Sequence, residues 1–227
     1  MSVEGQRWQS YATGELHPVL RLALTDGSAT HPWVARLLGA DGPCAMRDFA
    51  DLSHFLCVLH GRKPGVFDHV AECAAGSAPE AQLVALAAAF APERAFVTRV
   101  AVASGPAPST PGGAQVEQAV GAQAHAIDML SMSERQGCGI GAAVALLLDW
   151  AALRPLLERT AERCGVPVPP CRLPGERDAA ALLDSVGDGR STSRALLFGA
   201  EQLLAQQRGL LDLLKARADA RRVADGF

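Results

Sequence analysis

Apolar residues recur at intervals of three and four along most of this chain, the spacing that lines one face of an α-helix. The clearest case runs from Met46 to His60, where Phe49, Leu52, Leu56 and Leu59 share a face and Gly61 ends the pattern. Phe55, Cys57 and Val58 add apolar surface on its other sides, which predicts a buried, central helix. Upstream, Thr30 is the expected N-cap of a short helix from His31 to Leu38, with Pro32 in its first turn and Gly39 closing it. Asp41-Gly42-Pro43 is a predicted turn. Pro64 opens a further helix to about Ala75, and Ser77 with Glu80 has the spacing of a capping box for the alanine-rich helix that follows. Pro92 is expected to break or kink that helix before it resumes over Glu93 to Ala103.

The second half predicts helices over 114–132, 136–153 and 155–164, a proline-rich connector from Val166 to Pro174, and a helix over 175–186. A long helix follows from Ser191 to Val223, with Leu196, Leu203, Leu210 and Leu214 as its apolar stripe and Phe198 beside it. No stretch alternates with the period of two that a half-buried strand requires. The expected fold is all-α, a compact bundle of about eight to ten helices with essentially no sheet. Between the halves, residues 104–113 hold three prolines and three glycines, which predicts a flexible loop. Neither half looks self-sufficient, so residues 1–227 are expected to form a single helical domain.

Composition agrees with the pattern. Alanine supplies 42 of the 227 residues and leucine 29, while aromatic residues make up 5%. Such side chains lose little freedom in a helix, whereas β-branched ones lose more. The net charge is −3, and the one tight basic cluster, Arg217, Arg221 and Arg222 with Lys215, is diluted by Asp219 and Asp225. A nucleic-acid binder would show a basic excess, so no nucleic-acid partner is expected. The opening MSVEGQRWQS lacks the apolar core of a secretory signal, and the longest apolar runs fall short of the ~18 residues of a membrane span. The six cysteines sit mostly within helical patterns, as reduced, buried thiols do. The expectation is a cytoplasmic protein with no membrane contact.

From Ser133 through Gly137-Cys-Gly-Ile-Gly141 to Ala143, and on to Asp149-Trp150, the chain resembles members of an uncharacterised all-α bacterial family. The helix from Leu196 to Leu214 adds to the likeness. The resemblance implies a fold class and assigns no site residues.

Several constellations bear on chemistry. Gly137, Gly139 and Ala142 imitate the G-x-G-x-x-A fingerprint of dinucleotide sites, but that motif needs a strand before it and no strand is predicted. Small residues that let two helices approach closely explain the same glycines. His54 and Cys57, three apart, and His69 and Cys73, four apart, would place two ligand pairs on neighbouring helices, a set zinc could take. Against it, structural zinc sites place at least one pair on a tight turn, and these lie mid-helix. A di-iron bundle would need repeated Glu-x-x-His, and only fragments such as Asp51-x-x-His54 exist. Haem ligation by His54, His60 or His125 is equally unspecific. No cofactor is therefore predicted, with zinc, iron or haem as the alternatives. Asp149 interrupts an apolar run and must be buried and paired, with Arg135 or Arg194 as the expected partner, or else line a ligand site. Arg190, Ser191 and Arg194 at the start of the last helix suit a phosphate or carboxylate, though ordinary capping accounts for them too. These residues favour a non-enzymatic binding or protein-interaction module, with a metal- or haem-dependent helical enzyme or a small-molecule-binding bundle as alternatives.

Overall fold

A computed structural model describes residues 16–187 and 189–224. Among them are nine α-helices, a single 3₁₀ turn and no strand. Helix α1 is Pro18–Asp26, the 3₁₀ turn Ser28–Thr30, α2 Pro32–Leu38, α3 Gly42–His60, α4 Val66–Cys73 and α5 Glu80–Ala103. The second half holds α6 Gly113–Ser131, α7 Cys138–Arg163, α8 Glu176–Ser185 and α9 Arg190–Ala224. One hydrophobic cluster takes in side chains from both sides of the 104–112 loop, Phe49 and Phe90 before it and Leu146 and Leu203 after it.

Several helix ends differ from expectation, each for a local reason. His31, not Thr30, caps α2: its ring accepts a hydrogen bond from the Trp33 amide at 3.3 Å. Helix α3 starts at Gly42, four residues before the apolar pattern begins. Asp41 stands at its N-cap without bonding the helix, because Arg159 and Arg163 hold its carboxylate. Val58 is 41% exposed, so α3 is not enclosed all round, although Phe49, Leu52 and Leu56 have no exposed surface. Helix α4 begins at Val66 rather than Pro64, where the Gly65 amide donates to Asp68 at 2.9 Å. In place of the Ser77 capping box, Glu80 accepts from the Gly76 amide at 2.7 Å.

The two internal prolines are the larger correction. Pro92 lies inside α5, a single helix of 24 residues, so it does not break the helix. Pro155 lies inside α7, so the two segments expected there form one helix of 26 residues. A proline removes one backbone hydrogen bond, and tertiary packing can outweigh that loss. Here the compensation sits beside the defects. Glu93 follows Pro92, and its carboxylate accepts from Trp150 Nε1 and from Nε of Arg154, the residue before Pro155, both at 2.9 Å.

Helix α7 is the axis of the fold. An 18-residue window of it has a mean hydropathy of 1.6, long and apolar enough by length and composition to cross a membrane. The short apolar runs seen in the sequence understated this. Yet 78% of that window is buried against the other helices, so its apolar surface belongs to the core. Helix α9 lies along it through glycine. A Cβ at Gly141 would meet the Leu196 carbonyl oxygen at 1.9 Å, and one at Gly199 the Cys138 carbonyl oxygen at 1.9 Å. The glycines of 137–141 thus serve close helix packing.

Candidate functional site

At the far end of α9, the bundle meets α3 through charge rather than through small residues. Asp48 and Asp51 are three apart on α3, and Arg217 and Arg221 four apart on α9, so each pair shares one face of its helix. All four are buried, Asp51 completely. Arg217 grips Asp51 with two parallel bonds, Nε and Nη2 each 2.9 Å from a carboxylate oxygen. Arg221 reaches both carboxylates, Asp51 through Nη1 and Asp48 through Nη2 at 2.7 Å. Forked guanidinium–carboxylate pairing is the strongest hydrogen bonding that side chains make. Burial works against the charge on Arg221, but the bonds to Asp48 and Asp51 outweigh it and hold its pKa above the ordinary arginine value. The Arg217 guanidinium also lies over the Phe55 ring, 5.3 Å from its centre.

The same arginines hold the 104–112 loop. Arg217 donates to the Pro108 carbonyl at 3.0 Å, Arg221 to the Thr110 hydroxyl at 2.9 Å, and His54 to the Gly105 carbonyl at 2.7 Å. Three hydrogen bonds thus join the loop to α3 and α9. Beneath it opens a groove of about 420 Å³ between α3 and the loop, walled by Met46, Arg47, Ala50, Pro106, Pro108 and Ser109. Arg47 also lines a small adjoining pocket with Cys44, Asp48, Arg221 and Arg222. Arg222 is 35% exposed and carries the basic surface outward: it bonds Asp219 at 2.6 Å, and Asp219 also pairs with Lys215 and Arg36. The Lys215 hydrogen bond, with the Arg36 and Arg222 charges, holds the Asp219 carboxyl below its ordinary value.

The residues singled out in the sequence lie elsewhere. Asp149 is buried as expected, but no arginine among the described residues bonds it. Its carboxylate accepts from the Ser28 amide at 2.5 Å and the Ser28 hydroxyl at 2.6 Å. Gly27 makes this possible, since a Cβ there would stand 3.0 Å from the Asp149 oxygen. Burial pushes the Asp149 carboxyl up, against the Ser28 bonds and the charge of Arg208. Arg135 instead stacks over Phe198, 5.5 Å from the ring centre, and Arg194 is exposed with Arg190 and Ser191 on the first turn of α9.

The proposed zinc ligands are not brought together. His54 is turned to Gly105 and Cys57 to Thr98 at 3.8 Å, both toward α5 and the loop after it. His69 is half-buried on α4, and Cys73 is exposed. Among the described residues no group of three or more His, Cys, Asp or Glu side chains is placed to hold a metal ion. Of the histidines weighed as haem ligands, His125 is exposed. His60 is buried against the Trp150 ring at 5.9 Å and hydrogen-bonded to Gln207 at 3.2 Å; burial lowers its pKa to about 4, the Gln207 bond offsetting this only in part.

Sequence reading missed the Asp48–Asp51–Arg217–Arg221 cluster. The signal was there in part: each pair sits at helical spacing among apolar residues, which marks a charge facing the core rather than a solvated basic run. No curated protein and no solved structure matches the chain. The model of DUF6975, a family of unknown function, matches residues 23–222, which takes in the groove, its loop and both halves of the ion cluster, and the chain belongs to that family.

Proposed function

We propose that the protein is a non-enzymatic binding module, and that the groove between α3 and the 104–112 loop receives an extended polypeptide segment. The observation that carries this reading is the fastening of the loop. One wall of the groove holds Pro106, Pro108 and Ser109, and buried arginines bond this loop at Pro108 and Thr110 before any ligand arrives. Preorganisation of this kind lowers the ordering cost of binding. Its volume of about 420 Å³ falls within the range of ligand sites. It lies open along the surface, which suits a chain segment better than an enclosed small molecule. The protein is read as cytoplasmic, with the apolar surface of α7 turned to the core.

The test is selection from a random peptide library displayed on phage, with the full-length protein as bait. Selected sequences are expected to lose binding to a Ser109→Trp variant, whose indole would fill the groove, and to weaken on Met46→Ala. Both variants should melt like the wild type. Binders indifferent to both substitutions would sink the proposal.

A further inference from the structure

The groove does not stand alone; a basic rim runs from its shared wall. Five cations, Arg36, Lys215, Arg217, Arg221 and Arg222, are joined by hydrogen bonds or ion pairs to three carboxylates, Asp48, Asp51 and Asp219. Among the described residues that leaves the cluster an excess of two positive charges, in a chain whose net charge is −3. Burial sorts these charges. Arg217 and Arg221 are inside and neutralise Asp48 and Asp51, whereas Arg36 and Lys215 are over 40% exposed and Arg222 is 35% exposed. The surplus is therefore at the surface, where it can meet a partner. Among the described residues Asp219 is the carboxylate that all three surface cations share, and pairs of this exposure are held weakly.

Resting on the reading of the groove as a peptide site, we infer that its ligand is an acidic segment, with apolar side chains against Met46, Ala50 and the prolines and carboxylates against Arg222 and its neighbours. Charge complementarity favours this occupant, since a positive rim in an acidic protein steers anionic partners and rejects basic ones. A nucleic acid fits less well. It needs a broader basic face and stacking aromatics, and none of the described residues lining the groove is aromatic.

Fluorescence anisotropy with labelled decapeptides tests this on the full chain. The probes are an alternating Glu/Val peptide, its Gln/Val and Lys/Val counterparts, and a single-stranded DNA decamer. The Glu/Val peptide is expected to bind saturably and to weaken as salt rises. Replacing both Lys215 and Arg222 by Gln should weaken it about tenfold, mainly through slower association. Ser109→Trp should abolish it. Should the double variant melt early, Arg36→Gln on α2 carries the same test with a smaller expected loss. Equal or tighter binding of Gln/Val, still sensitive to Ser109→Trp, would overturn the acidic ligand while leaving the groove reading intact. Binding of none of the peptides would overturn both. Preferential binding of the DNA decamer, or indifference of the Glu/Val peptide to the basic substitutions, would also overturn the acidic ligand.

Discussion

Asp51 and Asp149 are both shut away from solvent, yet they are satisfied in opposite ways. Asp51 accepts from two guanidinium groups that reach it from a helix 166 residues further along the chain. Asp149 accepts from one serine, by its amide and its hydroxyl, and no guanidinium among the described residues bonds it. In the first case charge is essential, because each arginine is buried on the strength of its carboxylate. In the second the partners are neutral, and burial pushes the carboxyl toward its protonated form. One cluster is a charged clamp that also holds the groove's loop; the other is a polar latch made by a serine amide and hydroxyl.

The largest effect expected follows from breaking the clamp. Asp51→Ala would leave Arg217 and Arg221 buried with Asp48 alone, and removing one partner of such a set costs about 3–5 kcal/mol. Urea denaturation should show that loss. Limited proteolysis should then cut within 104–112 faster than in the wild type, where Arg217 and Arg221 bond the loop. A variant as stable as the wild type, with the loop still protected, would mean that the cluster is not a clamp.

Acid sharpens the comparison next. His60 has a folded pKa of about 4 against an ordinary 6.5, so the unfolded chain binds more protons between those values. Stability must then fall as pH drops from 6.5 and level off below 4, by about 3 kcal/mol in total. The latch at Asp149 pulls the other way, since a raised carboxyl pKa favours the folded state at low pH. His60→Gln should flatten the acid limb of a plot of unfolding free energy against pH. An unchanged acid limb would remove His60 as its source.

A smaller loss is expected at the latch itself. Ser28→Ala removes the hydroxyl but keeps the amide, leaving the buried Asp149 with one donor of two, a change of about 1–3 kcal/mol. Thermal or urea unfolding would report it. A loss as large as that of Asp51→Ala would mean that the hydroxyl, not the amide, carries the latch.

Much of the fold was legible because helices are local. The spacing of Phe49, Leu52 and Leu56 places α3 in the core, and the stripe from Leu196 to Leu214 marks the buried face of α9, with no need of a distant partner. Asp149 was legible as buried for the same reason. What defeats the reading is long-range compensation. Pro92 and Pro155 look like breaks until Glu93 and Arg154 are found bonded across the two helices. The partners of the loop at 104–113 stay hidden until Arg217 and Arg221 are found bonded to it. The basic run near the end of the chain looks solvated until Asp48 and Asp51 stand opposite. In each case the deciding partner lies tens of residues or more away, where periodicity carries no information.

The smallest effect is also the most discriminating. Asp149→Asn keeps the shape of the latch: the amide oxygen can accept from the Ser28 amide, and the amide nitrogen can donate to the Ser28 hydroxyl. Because the folded pKa of Asp149 is raised, the native state binds more protons than the unfolded chain between the ordinary value of 3.8 and the folded one. Unfolding free energy therefore falls as pH rises through that window, and the loss stays constant above it. Asparagine has no such charge to desolvate. At neutral pH its stability should lie within about 1 kcal/mol of the wild type, and the falling slope should vanish. Urea midpoints of the two proteins across the acid range would show this as curves that diverge as pH rises from the acid end. If Asp149→Asn instead loses as much as Asp51→Ala, a buried cation depends on Asp149, and the two sites are the same kind of clamp after all.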